Sequence, residues 1–222
     1  MQAVIDPSLV APADEELLFE SLAQSLETRG YVIVPAALPE SLTTSLLDYL
    51  AVLEADQFHA ASVGRGREQM QNSFVRRDSI HWIEEEHPRS GPWLAWAKRL
   101  RLYLNRRLFL GLFSFESHFS LYQSGDFYRR HVDAFKGESN RVLSLVAYLN
   151  KGWEPDQGGE LVLYDPDTNE SLVKVVPAFG TLVLFLSEEF PHEVLATRRD
   201  RHAVAGWFRL NTSINDVIDP PR

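Results

Sequence analysis

In the segment YRRHVDAF a histidine and an aspartate stand two residues apart. On a β-strand successive side chains alternate between faces, so His131 and Asp133 can offer an imidazole nitrogen and a carboxylate oxygen to one point. Pairs of this kind recur by chance, and a metal site needs a third ligand. The other histidines are His59, His81, His87, His118, His192 and His202. His192 stands out among them because it opens a strand-like run, FPHEVLAT, after a long apolar stretch, where a barrel mouth could bring it beside the first pair. Two imidazoles and one carboxylate on one face leave coordination positions open for small reactants. Non-haem iron(II) oxygenases use that arrangement, although zinc or manganese accept the same ligands.

The open positions suit oxygen and a bidentate co-substrate. A dicarboxylate bound through its oxo-acid end needs a cation at its far end, because a buried carboxylate left unpaired is prohibitively costly. Arg201 can supply one. It lies nine residues beyond His192, a spacing that fits one strand, a turn and the returning strand. In the run RHAVAGW the period of two puts Arg201, Ala203, Ala205 and Trp207 on one face, with two alanines leaving room for a small ligand. Tyr148 in LVAYLN and Tyr122 at the end of HFSLY are tyrosines of the kind that aim a buried hydroxyl at a polar partner.

These residues need a scaffold, and the whole chain sets its limits. The 222 residues suffice for one domain with a substantial core, with 45% apolar and 24% charged side chains as in ordinary globular proteins. A net charge of −9, from 22 basic against 31 acidic side chains, argues against general affinity for nucleic acid or anionic lipid. The absence of cysteine excludes disulfides, zinc-thiolate sites, iron-sulfur clusters and thiol nucleophiles. The amino-terminal stretch MQAVIDPSLVAPADEELL has no basic leader before an apolar core, and the longest apolar run, from Val175 to Leu186, is interrupted by Pro177 and Gly180. A cytoplasmic protein with no membrane partner is expected.

The first half reads as mainly helical. Leu18, Leu22 and Leu26 recur every four residues between Asp14 and Arg29, with Gly30 as a stop. A short strand from Tyr31 to Val34 follows, and Pro39 opens a second helix striped by Leu42, Leu46, Leu50 and Leu53. A third helix is expected from Pro92 to Leu110, with Leu94, Ala97, Leu100 and Leu104 inward. Between the last two helices lies a loop at 63–77, made flexible by Gly64 and Gly66 and basic by Arg65, Arg67, Arg76 and Arg77. It is read as a solvated hairpin or a partner-contacting loop. After Phe113 seven short runs rich in Val, Leu and aromatics, separated by turn signals, predict antiparallel strands. The expected architecture is α+β: one domain over 1–222, with 1–113 a mainly helical support and 114–210 a jelly-roll core.

In this order, YRRHVD, Arg141 before LVAYLN, Trp153, GGELVLY, LFLSEEFPHEV and RHAVAGWF make the chain resemble the prolyl hydroxylase domain family of iron(II) and 2-oxoglutarate dioxygenases. The likeness is clearest from Tyr122 to Phe208, with a fainter echo in RRDSIHWI. The resemblance implies a double-stranded β-helix and iron(II) held by His131, Asp133 and His192. It also implies that Arg201 and Tyr148 hold the far carboxylate of 2-oxoglutarate, with Tyr122 and Trp207 lining the same pocket. Functional residues near the substrate entrance would be Arg141, Tyr128, Asp78 and Arg76. The implied reaction consumes O2 and 2-oxoglutarate, releases succinate and CO2, and hydroxylates a prolyl residue in a protein, with elongation factor Tu as the candidate partner suggested by bacterial members. Two alternatives stay open at this point: hydroxylation of a small molecule such as free proline, and an iron- and 2-oxoglutarate-responsive binding or sensor module.

Overall fold

A computed structural model describes residues 15–61, 74–134 and 140–211. Most of the basic loop expected at 63–77 lies outside these residues. The chain opens with helix α1 (Glu15–Arg29), which buries Leu18, Phe19, Leu22 and Leu26 along one stripe. Gly30 ends it at a φ of 74°, and a Cβ there would stand 2.9 Å from the Phe190 ring, so only glycine combines this turn with this packing. Strand β1 (Tyr31–Val34) and helix α2 (Glu40–Leu50) follow, with Pro39 just before the helix, where its missing N–H costs nothing. Leu53 falls beyond the end of α2 and is only half-buried. Strands β2 (His59–Ala60) and β3 (Ser79–Trp82) come next, and then helix α3 (Gly91–Leu108). The inward face of α3 is carried by Trp93, Trp96, Ala97, Leu100 and Leu104, with the expected Leu94 partly buried at its edge. Trp93 and Trp96 fill the volume and stack at 5.4 Å.

The remaining strands are β4 (Ser114–Tyr122), β5 (Tyr128–His131), β6 (Arg141–Tyr148), β7 (Leu161–Tyr164), β8 (Ser171–Val175), β9 (Leu182–Leu186), β10 (His192–Val194) and β11 (Arg201–Arg209). A seven-stranded sheet runs β1-β9-β6-β11-β4-β3-β2 and a four-stranded sheet β5-β10-β7-β8, with the named neighbours antiparallel. From β4 onward the chain crosses repeatedly between the two sheets, which is the double-stranded β-helix. Thus β1, β2 and β3, from the half read as mainly helical, extend the large sheet.

Alternation along the strands divides the core. Leu143, Leu145 and Ala147 of β6, Leu182 and Leu184 of β9, and Val204 and Phe208 of β11 face the helices. Tyr148, Val183, Phe185 and Ala203 face the small sheet together with Leu161, Leu163 and Val194. The second face is less uniformly apolar than the first, and the chemistry is found there. Among the described residues no helix is long and apolar enough to cross a membrane.

Candidate metal centre and ligand pocket

His131 ends β5 and His192 begins β10, and the two are direct partners in the small sheet. Asp133 does not share their strand. The segment leaves β structure after His131, so a bend, not the expected pleat, turns the Asp133 carboxylate toward the two imidazoles. The His131 Nε2 lies 3.6 Å from Asp133 Oδ1, and His192 Nε2 lies 3.7 Å from Asp133 Oδ2. All three ligand atoms fall within 4.8 Å of one another, forming a group that could hold a metal ion.

The backbone orients both imidazoles. His131 Nδ1 is 2.8 Å from the Arg129 carbonyl and His192 Nδ1 is 3.0 Å from that of Phe190. A carbonyl only accepts, so each Nδ1 carries a proton and each Nε2 is the ring nitrogen turned inward. Burial, reinforced by His131 nearby, pushes His192 down to about 4, leaving it neutral at neutral pH. Burial opposes ionisation of Asp133, but the two imidazoles and the Ser144 hydroxyl hold its carboxyl well below the usual carboxylate range. A neutral His192 and an ionised Asp133 are the protonation states in which these two groups can ligate a divalent ion.

A β-bulge adds a further group. Between the pairs His192↔His131 and Val194↔Tyr128, β10 advances two residues while β5 advances three. The extra residue puts Tyr128 on the same face as His131, and their rings stack 3.6 Å apart. Above Tyr128 lies the Arg76 guanidinium, 4.2 Å from the ring centroid and clamped to buried Asp78 by bonds of 2.8 and 2.6 Å. Arg76 is therefore no solvated loop charge. Although burial works against it, the Asp78 carboxylate keeps it firmly protonated. Burial also raises the Tyr128 phenol to about 12.

The large sheet supplies the opposite wall in rows. Tyr122 pairs with Arg201 and Tyr148 with Ala203. The Arg201 guanidinium lies 4.9 Å from the Tyr122 ring and 5.0 Å from that of Tyr148. Arg201 is 2% exposed, donates through Nε to the Gly159 carbonyl at 2.8 Å, and has no carboxylate partner among the described residues. Gly159 adopts a φ of 71°, and a Cβ there would meet the Arg201 Cδ at 3.1 Å, so this glycine makes room for the arginine. The buried Tyr148 hydroxyl is turned toward the Arg201 guanidinium and has no closer hydrogen-bond partner among the described residues, and the buried Trp207 Nε1 has none there either. A donor hydroxyl beside a buried guanidinium with no carboxylate partner is an arrangement that could receive an oxygen-rich anion.

A second row joins Glu116, Trp207, Ser144 and Phe185 across β4, β11, β6 and β9. Each touches the site or its lining. Phe185 packs edge-on against His192, and Ser144 donates to Asp133 Oδ2 at 2.6 Å. Arg141 lies flat over Trp207 at 3.6 Å, held by Glu116 at 2.9 and 2.7 Å, and Arg209 bonds the other Glu116 oxygen at 3.0 Å. Sequence reasoning placed Arg141 near a substrate entrance but missed Glu116, Ser144, Ser187, Phe185 and Arg209. Nothing marks a lone Ser or Glu in a strand until its neighbouring strands are known.

A match to the 2OG-Fe(II) oxygenase superfamily spans residues 117–209, which includes all three clustered ligands and Arg201. A Pseudomonas putida prolyl-4-hydroxylase of known structure is 36% identical, covers 87% of this chain and 100% of its own, and superposes with a TM-score of 0.77. The chain belongs to the 2OG-Fe(II) oxygenase superfamily, whose members use iron(II), 2-oxoglutarate and O2. Several of the relatives within that superfamily are prolyl hydroxylases. A Trichoplax adhaerens prolyl hydroxylase, solved with a hypoxia inducible factor oxygen degradation domain peptide, is 28% identical over 88% of this chain and 90% of its own, with a TM-score of 0.77. Human prolyl hydroxylase EGLN3 is 26% identical over 204 residues, 87% of this chain and 84% of that protein.

Proposed function

We propose that this oxygenase hydroxylates a prolyl residue within a protein, with His131, Asp133 and His192 holding iron(II) and Arg201 with Tyr148 receiving the far carboxylate of 2-oxoglutarate. The observation that carries the reading is the buried, carboxylate-free Arg201 with the buried Tyr148 hydroxyl turned toward it, a cation and a donor that have no anion between them among the described residues. Iron(II) with 2-oxoglutarate and O2 supplies the oxidising power that converts C–H to C–OH while succinate and CO2 leave.

The protein's own residues bind, orient and exclude water. Arg201 neutralises the distal carboxylate, Tyr148 donates to it, and Tyr122 and Trp207 close the pocket sides. A guanidinium that is already buried and aligned adds no reorganisation cost when the dicarboxylate arrives. On the substrate side Tyr128, Arg76 and Asp78 form a rigid stack against His131, and Arg141 is fixed over Trp207. Such fixed polar groups suit an extended polypeptide whose backbone needs partners. The prolyl assignment draws support from the relatives, all three named as prolyl hydroxylases, one of them holding a peptide.

Elongation factor Tu is the first protein to test. The purified chain, supplied with iron(II), 2-oxoglutarate and O2, is expected to add one oxygen to a prolyl peptide of that factor, mapped by mass spectrometry. An active enzyme that oxidises no prolyl peptide of it removes this substrate, and turnover of free proline alone would transfer the reading to a small molecule.

A further inference from the structure

Behind the ligand cluster two buried serines form a chain that no sequence motif announces. Ser144 Oγ lies 2.6 Å from Asp133 Oδ2 and 2.8 Å from Ser187 Oγ. Ser144 is 1% exposed and Ser187 0%. Ser144 sits mid-strand in β6, and the Ser187 backbone, just past the end of β9, donates to the Val142 carbonyl at 3.0 Å. Both hydroxyls are thus fixed to the large sheet, whereas Asp133 lies on an irregular bend joined to the small one.

The direction of the chain follows from proton inventory. An ionised carboxylate only accepts, so Ser144 must spend its single proton on Asp133 Oδ2. Its oxygen is then left as an acceptor, and Ser187 must donate to it. The two protons run one way, toward Asp133. We infer that the Ser187–Ser144 pair is a positioning device for the Asp133 carboxylate. It pins Oδ2 from the large sheet and so fixes the plane in which the carboxylate meets the metal.

This inference rests on the proposed iron site, and it assigns that site a support that His131 and His192 do not need, because backbone carbonyls already orient their rings. Among the described residues Asp133 accepts no backbone hydrogen bond, and it lies outside regular strand structure. The serines supply to Asp133 the hydrogen-bonding partner that backbone carbonyls give the histidines. Such partners typically control metal affinity by about 10- to 100-fold.

The test is anaerobic Mn(II) titration of the full chain, following free Mn(II) by electron paramagnetic resonance, together with the visible spectrum of the Co(II)-substituted protein. Ser144→Ala is expected to weaken Mn(II) binding by roughly 10- to 100-fold and to alter the Co(II) bands. Ser144→Thr, which keeps the hydroxyl, should restore both. Ser187→Ala, which leaves the bond to Asp133 but frees its donor to rotate, should fall between wild type and Ser144→Ala. It also serves as the second probe if Ser144→Ala fails to fold. Wild-type affinity and spectrum in both alanine variants would overturn the inference while leaving the iron reading intact. A wild-type chain that takes up no stoichiometric Mn(II) would overturn both.

Discussion

Replacing Arg201 with methionine separates ligand binding from folding. In the free protein the guanidinium donates a charged hydrogen bond to the Gly159 carbonyl at 2.8 Å, faces the Tyr148 hydroxyl, and has no carboxylate partner among the described residues. Losing that bond costs about 1.5–3 kcal/mol, but removing a buried, uncompensated charge offsets it, because apolar replacements of buried ions are often neutral or stabilising. Stability should therefore change by no more than about 1 kcal/mol. With 2-oxoglutarate bound the balance reverses. The variant would leave a buried carboxylate without its cation, a loss of about 3–5 kcal/mol, or roughly 10²- to 10⁴-fold in affinity. Calorimetric titration of 2-oxoglutarate into the oxygen-free, Mn(II)-loaded protein measures the second number, and urea unfolding of the metal-free protein measures the first. Arg201→Lys should recover only part of the affinity, since an ammonium lacks the planar fork. A 2-oxoglutarate affinity within fivefold of wild type in Arg201→Met would refute the assignment of Arg201 as the distal clamp.

Asp133→Ala should abolish metal uptake and turnover while the circular dichroism spectrum persists; full activity in that variant would sink the ligand assignment. Glu116→Gln removes the shared anion of Arg141 and Arg209, so stability should drop by about 3 kcal/mol. KM for a protein substrate should rise while 2-oxoglutarate affinity holds, which paired binding and steady-state measurements would check. His118 is buried against Trp82 and Trp207 and is pushed down to about 4 from its ordinary 6.5 by burial, then by Arg76, with Asp78 opposing and Arg141 adding to the push. The folded state therefore binds fewer protons than the unfolded one between those values. Its stabilising effect is fully present above pH 6.5 and is lost as the pH falls toward 4. By pH 5 about 2 kcal/mol should have gone, and unfolding curves of the wild type and His118→Gln at pH 7.5 and 5 should converge on the acid side.

Much of the site could be read before any fold was known, because metal ligands and a buried cation are rare residue types in an apolar context. His192 after LFLSEEFP and Arg201 heading RHAVAGW stand out for that reason. The helices and strands were legible through their periods, with α1 and β1 within a residue of expectation. Less legible was the inward face of α3, where tryptophan volume outweighed the leucine stripe. The route of Asp133 was read as pleat when it is a bend. The bulge in β5 was also out of reach, since nothing in YRRH shows that one residue will go unpaired.

Residue identity alone determined which side chains have metal-ligating atoms or a fixed positive charge, and which chemistries the absence of cysteine rules out. Tertiary structure alone decided which oxygen of Asp133 a serine holds, which ring stacks on His131, and that Arg76 and Arg141 are locked in ion pairs instead of solvated. The physical reason is range: alternation and propensity act within a few residues of chain. Hydrogen bonds and ion pairs such as Glu116 with Arg209 join residues 93 positions apart, and only the register of neighbouring strands brings them together.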